Sequence, residues 1–533
     1  MAAMRSMVTV TAMATMRAVS RIDFLVTTLA LTVSGVACGQ TELAPESSAL
    51  SAPAPRTEPP LKVGVRSVLT VSDNADTRPS NAEHKAGGVL EITPYAHAHV
   101  SRPDRYLDLS YSLRNFYRSL DHQSDLARHD LRTQGETAVA GDWLRFGARA
   151  YVYDIINNPF GLVSADPAAQ SSNRTRFSSL NLSPVIRGEA ADNSRYELRY
   201  GFDDTRFGNA LPHSRGNRFT GLIVRSPLYG GLGWGAAYDS DRRQFDQSVS
   251  VEVARGWFGP FFHPIRDLRI GVNASYAKNS LLIDSSGGNS SWGPGFNALW
   301  TPSSRSVASL NVFRASYGTV AHMRLSVRQR QWVLGLRFDQ DVTTGLASVI
   351  NYIDPLNVLR PIKDDAQELD SVRQELSDRG ILPAFTSPLV NTTVNSALVR
   401  NRTLTASADY ADRGDSIIFS ASYANRSAVG GTELVPGANA LFADIRQISA
   451  LLEWYRNLNT AVAIGTFARY QKSDANAASL HSKTSVFGAS VNIALARQTK
   501  LKILIRHTQQ RVEGTASTGF SENALITTLD YRF

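Results

Sequence analysis

Cysteine is nearly missing from this chain: of 533 residues only Cys38 carries a thiol, and it sits at the end of an N-terminal apolar run. The remainder can hold no disulfide, no thiolate zinc site and no iron–sulfur cluster. Long apolar stretches are missing too. Beyond the first 40 residues no run approaches the roughly 18 residues of a membrane-spanning helix. The motifs H-E-x-x-H, G-x-x-x-x-G-K-[ST], G-x-S-x-G and C-x-x-C do not occur, nor does an EF-hand loop. The ten histidines are scattered, and the one close pair, His97 and His99, lacks further ligands. No metal, no cofactor and no catalytic residue is expected, and the chain is read as a non-enzyme. The net charge is +9, a balance that suits an anionic partner: nucleic acid, anionic lipid or an acidic substrate. Where the charges sit decides among these.

Residues 1–40 have the pattern of an export signal. Arg17 and Arg21 precede an apolar run from Phe24 to Ala37, and the small residues Gly35 and Ala37 offer a cleavage site. Val36-Ala37-Cys38 is also close to a lipoprotein box, which makes Cys38 a lipidation candidate, although Gly35 stands where that box has leucine. Residues 41–60, rich in Pro, Ala, Ser and Glu, are expected to be a disordered linker. Nucleic acid is not expected as a partner.

From Leu61 onward the dominant period is two. Tyr196, Leu198, Tyr200 and Phe202 alternate with Arg195, Glu197 and Arg199; Leu107, Leu109, Tyr111 and Leu113 alternate with Asp108, Ser110, Ser112 and Arg114. Trp332, Leu334, Leu336 and Phe338 do the same with Arg337 and Asp339, and Leu268 to Tyr276 with Arg269 and Asn273. Strands place successive side chains on opposite faces, so this is strand periodicity with one apolar and one polar face. Short connections (Arg102-Pro103-Asp104, Gly141-Asp142, Asp192-Asn193, Arg413-Gly414-Asp415, Asn457-Leu458-Asn459, Gln498-Thr499) take turns with long polar ones near 73–86, 119–127, 157–172, 207–216, 279–290, 427–440 and 511–521. Two hairpins, near 240–245 and 317–320, are short where a long loop is due.

A spanning protein made of strands must close, because hydrocarbon offers no partner to an unpaired N–H or C=O. The reading is therefore an all-β transmembrane up-and-down antiparallel barrel over 61–533. It should have roughly 22 strands (18–24), both termini periplasmic and long loops outside. Trp143, Trp234, Trp257, Trp292, Trp300 and Trp454 fall near strand ends, as interfacial girdles need. A short amphipathic helix is expected at about 361–380, with Leu369, Val372 and Leu376 at helical spacing, inside the longest loop. At the C-terminus Leu525, Thr527, Leu529, Tyr531 and Phe533 share one face, the pattern that barrel-assembly machinery reads. The expected location is the bacterial outer membrane, with membrane lipid and that machinery as partners.

Three stretches carry a family resemblance: VSDNAD (Val71 to Asp76), SPVIRGEAADNSRYELRYGFDDTRF (Ser183 to Phe207) and FRASYGTVAHMRLSVRQRQWVLGLRFDQDVTT (Phe313 to Thr344). The chain resembles outer-membrane barrels of the PEP-CTERM/exosortase system, the EpsL-like proteins of exopolysaccharide loci. The resemblance implies a part in export or surface organisation of exopolysaccharide, with that polymer and export-complex proteins as partners. It implies no functional residue.

If the apolar face meets lipid, the polar face lines a lumen. That sorts Arg114, Arg145, Arg149, Arg195, Arg199, Arg225, Arg269, Arg324, Arg328, Arg337, Lys500, Lys502 and Arg506 inward, against fewer acids: Asp108, Glu197, Asp339 and Asp530. Such a face attracts anions, and forked guanidinium donors suit carboxylates and phosphates. Two readings stay open: a conduit for anionic solutes, or a wall laced by arginine–carboxylate ladders. A surface scaffold binding polysaccharide through its loops, and a general porin, are the alternative functions.

Overall fold

A computed structural model describes residues 61–533 apart from 76–82, 103, 120–125, 142, 157–173, 191–193, 209–212, 226–230, 247–249, 281–288, 304, 316–317, 345–397, 413, 429–443, 476–478 and 515–517. The signal segment with Cys38, the linker at 41–60 and the helix expected at 361–380 lie outside the described residues. Alternating, β-branched and aromatic-rich segments favour the pleated, half-buried surface of a sheet, and all the regular structure described is strand. The strands are β1 (Leu61–Ser72), β2 (Gly87–Ser101), β3 (Arg105–Arg118), β4 (Leu126–Ala140), β5 (Leu144–Ile156), β6 (Arg174–Glu189), β7 (Ser194–Phe207), β8 (Ser214–Arg225), β9 (Leu232–Phe245), β10 (Ser250–Ile265) and β11 (Leu268–Asn279). They continue as β12 (Ser290–Ser303), β13 (Ser306–Ala315), β14 (Gly318–Arg328), β15 (Trp332–Thr344), β16 (Leu398–Ala411), β17 (Asp415–Ala428), β18 (Ile445–Asn457), β19 (Val462–Ala475), β20 (Leu480–Ala496), β21 (Thr499–Glu513) and β22 (Thr518–Arg532).

Each strand pairs antiparallel with the next, and β1 pairs with β22 from Gly64↔Arg532 to Ser72↔Ala524. The sheet of 22 strands is therefore closed, with no edge. Because strands alternate in direction, every connection after an odd strand falls on one rim and every connection after an even strand on the other. The long connections named from sequence gather on the first rim and the tight turns on the second, except that the one read as long at 511–521 is a short connection, 514–517, because the strands on both sides run further than expected. Both short hairpins expected on the long-loop rim are present, and the connections 476–479 and 514–517 are short there as well. β13 and β14 join through 316–317, where Ala315 faces Gly318 and Gly318 takes a φ of 120° that a side chain would resist. The other short turn lies at 246–249, a little beyond the 240–245 read from sequence.

Directly paired residues share a face, so the register carries face identity around the ring. On the convex outside side chains diverge, and large apolar residues stand open: Leu198, Tyr200, Phe202, Val272, Phe487 and Ile505 are exposed. On the concave inside they converge and cover one another, which is why charged residues such as Arg145, Asp203, Arg243, Glu453, Arg506 and Glu522 are buried. An apolar outside with a polar inside is inverted relative to a water-soluble fold and suits hydrocarbon surroundings.

Candidate functional site

The inner wall is the candidate site. A dense cationic group lies on β4–β7 near the short-turn rim. Glu136 on β4 has Arg145 Nε at 2.6 Å, Arg199 Nη2 at 3.3 Å and Arg187 Nη1 at 3.9 Å. These come from three different strands, and each is placed by register: Ala138↔Arg145, Arg145↔Val185 and Val185↔Arg199 run along one inward row. Arg199 also reaches Glu197 at 3.4 Å. Arg195, facing Glu189, completes the group, and Arg149 sits one inward step beyond Gly147 and two beyond Arg145. Gly147 leaves room for this crowd, since a Cβ there would lie 2.8 Å from Ser183 Oγ and 3.6 Å from Arg199. One carboxylate is thus shared by three guanidinium groups, and the surroundings remain positive.

The other inward residues read from sequence are distributed around the ring. Arg114 is held by Glu91 at 2.7 Å and lies 5.0 Å from the Phe116 ring. Arg269 stacks 5.1 Å from Phe261. Arg324 pairs across from Arg337, which binds Asp339; His322 reaches the same carboxylate at 3.1 Å. Arg328 follows on the same row set. Lys500 faces Asp530, Lys502 faces Asn492 and Thr528, and Arg506 binds Glu522 at 3.2 Å in a fully covered pair joined by Ser72.

Three expectations are corrected. Arg225 is on the outward row, opposite Ser194 and exposed. Its inward neighbours in β8 are Leu222 and Val224, which pack with Phe261 on the lumen side, so sorting by polarity reverses there. Trp257 is no girdle residue: it pairs with Ala237 on the inward row and joins that apolar patch. The acids are also more numerous than four. Glu91, Asp130, Glu136, Asp203, Asp239, Asp241, Asp341, Glu453 and Glu522 face inward as well. Asp203, Asp239 and Asp241 bind Arg243 and Arg218. Basic side chains still outnumber acidic ones on the described wall, but much of that charge is tied into lateral ladders. Arg66, Arg187, Arg218 and Arg243 are inward cations that polarity did not single out; Arg187 beside outward Ile186 carried the needed alternation.

One link spans the wall. Arg255 on β10 reaches Asp341 and the Val342 carbonyl on β15, five strands on. A circular wall would hold those strands far beyond side-chain reach, so β11–β14 fold outward between them. Ala277, Phe313, Ala315, Val320 and Val342 fill the crease near the long-loop rim.

No family model and no curated protein matches this chain. Among solved structures, the siderophore receptor PirA from Acinetobacter baumannii is 8% identical, with 89% of this chain and 80% of that one covered at a TM-score of 0.47. The FrpB iron transporter from Neisseria meningitidis is 9% identical, covering 89% and 81% at 0.47. OccD3 (OpdP) from Pseudomonas aeruginosa is 8% identical, covering 89% and 91% at 0.34. The fold assignment rests on the register and the face sorting above: the chain is a closed β-barrel of the bacterial outer membrane.

Proposed function

We propose that this barrel serves exopolysaccharide export or surface organisation, and that its basic lumen favours anionic solutes, an acidic polysaccharide among them. The observation that carries this reading is Glu136 among Arg145, Arg187 and Arg199. A carboxylate already neutralised several times over leaves guanidinium donors to attract a passing anion, and rings of arginine favour anions in pores generally. The resemblance to EpsL-like barrels supplies the polymer. The coarser role, porin-like transport across the outer membrane, needs only the closed barrel and its polar interior.

The reading is tested by reconstituting the protein in a planar bilayer under a KCl gradient. A reversal potential favouring chloride supports it; no conductance, or cation preference, removes the conduit. Deleting the gene and measuring surface polysaccharide tests the polymer, and unchanged polymer removes that part while leaving the barrel. A scaffold reading is favoured by the collection of the connections 157–173, 345–397 and 429–444 on one rim. It predicts that shortening them abolishes polymer retention while conductance persists.

A further inference from the structure

The outward face breaks its own rule on β19–β21. One paired row runs Leu404↔Tyr423↔Ile448 across β16–β18 and continues Lys472↔Lys483↔Arg511 across β19–β21. Barrel strands tilt by about 35–45°, so a row perpendicular to them climbs relative to the membrane plane. The apolar half lies in the lipid belt and the cationic half has climbed out of it. Lys472 lies two residues beyond Tyr470, Lys483 four beyond Phe487, and Arg511 six beyond Ile505, all outward residues exposed to lipid. With strands about 4.8 Å apart at that tilt, each step along the row climbs roughly 3 Å, so the three cations stand at successively greater heights above the belt.

Like charges directly opposite one another cost stability, and here three cations are consecutive. Several outward cations near this rim face acids: Lys278 binds Glu252 at 2.8 Å, and Arg206 and Arg215 share Asp204 at 3.0 and 3.4 Å. In the row, Lys472 binds Asp474 at 2.9 Å. Lys483 and Arg511 are exposed, with no carboxylate in ion-pair range among the described residues. The next row toward the rim holds Arg402, Arg446, Asp474, His481 and Glu513, which balance to near neutrality. The excess is the three-cation ladder itself.

We propose that this ladder docks the phosphorylated saccharide headgroup of an outer-leaflet glycolipid. A simple phospholipid carries its phosphate at one depth and would meet one rung. A headgroup with phosphates at several heights matches cations that step outward, while its acyl chains lie on Ile448, Tyr470 and Phe487 below. Electrostatic contacts of this kind weaken with salt.

The test uses the full-length barrel in phosphatidylcholine nanodiscs, with diphosphoryl lipid A and its dephosphorylated form as probes. Binding is read by native mass spectrometry, and folding by heat-modifiable gel migration. The expected result is at least tenfold tighter binding of the phosphorylated probe and at least a tenfold loss in the variant K472Q/K483Q/R511Q. Arg242→Gln, an outward cation on β9, retains binding. Equal affinity for the two probes overturns the proposal, as does a folded triple variant that binds like the wild type. If the triple variant does not fold, the single variants Lys483→Gln and Arg511→Gln and the wild-type comparison of the two probes decide. Loss of binding to an acidic polysaccharide in these variants, without any response to the phosphorylated probe, also overturns it.

Discussion

The Tyr95 hydroxyl on β2 donates to Asp530 on β22 at 2.7 Å, passing over β1 at Gly64. Arg66 of β1 binds the other oxygen of the same carboxylate at 3.0 Å. This staple crosses the seam where the first and last strands meet. The seam is the one pairing that chain connectivity does not bring together, so its closure bears the largest loop-closure cost. A Cβ on Gly64 would lie 2.5 Å from the Tyr95 hydroxyl and 2.6 Å from the Tyr531 carbonyl. The carbonyl belongs to the ladder and cannot yield. Gly64→Val should therefore destabilise the barrel by about 1–3 kcal/mol, as overpacking does. Tyr95→Phe should cost about 1–2 kcal/mol, because Asp530 keeps Arg66. The temperature at which heat-modifiable migration is lost measures both, and an unchanged value for Gly64→Val would contradict the staple.

Glu136 sets the charge of the β4–β7 group. Glu136→Gln should raise chloride preference, since three guanidinium groups lose their shared counter-charge. Arg145→Gln and Arg199→Gln should lower it. Reversal potentials under the same KCl gradient give the sign directly, and a shift in the same direction for both kinds of variant would exclude this account.

The outward row meets lipid, so a charge there is costly. Val272→Arg, in the middle of β11 and 59% exposed on that face, should cost about 2–4 kcal/mol at mid-depth. Ser309→Lys, on the lumen row of β13 opposite Leu299, should cost far less. Urea unfolding in lipid bilayers compares them; similar losses would mean that the faces are assigned wrongly.

The Arg255–Asp341 link closes the crease over β11–β14. Asp341→Ala removes the carboxylate that holds Arg255 across the crease and frees its two sides. Single-channel conductance should rise with little change in ion preference. Phe313→Ala, which empties part of the apolar filling, should act in the same direction and also lower stability by about 3–5 kcal/mol. Conductance that falls in both variants would count against the crease as a constriction.

Much of the fold was legible because hydrocarbon enforces a simple code. The alternations at Tyr196–Phe202 and Trp332–Phe338 mark an outward face that must be apolar, and turn residues such as Gly141 and Asp192 mark the short rim. The site was legible in part for the same reason: Arg145, Arg149, Arg195 and Arg199 each alternate with an apolar neighbour. The code fails where the inner wall is itself apolar. Leu222, Val224 and Trp257 face inward and pack together, so polarity sent Arg225 and Trp257 to the wrong sides. Nothing forbids apolar residues inside a barrel; only charge outside is penalised, and the inference runs one way.

The sequence alone settled the strand period, the strand number of 22 and most of the alternation of short and long connections, because these follow from local pleat and turn chemistry. Tertiary structure decided which cations meet. Glu136 draws Arg145, Arg187 and Arg199 from three strands, Tyr95 reaches Asp530 across a seam, and Lys472, Lys483 and Arg511 align in one row. Those meetings depend on register, and register is a relation between distant segments that no single strand contains.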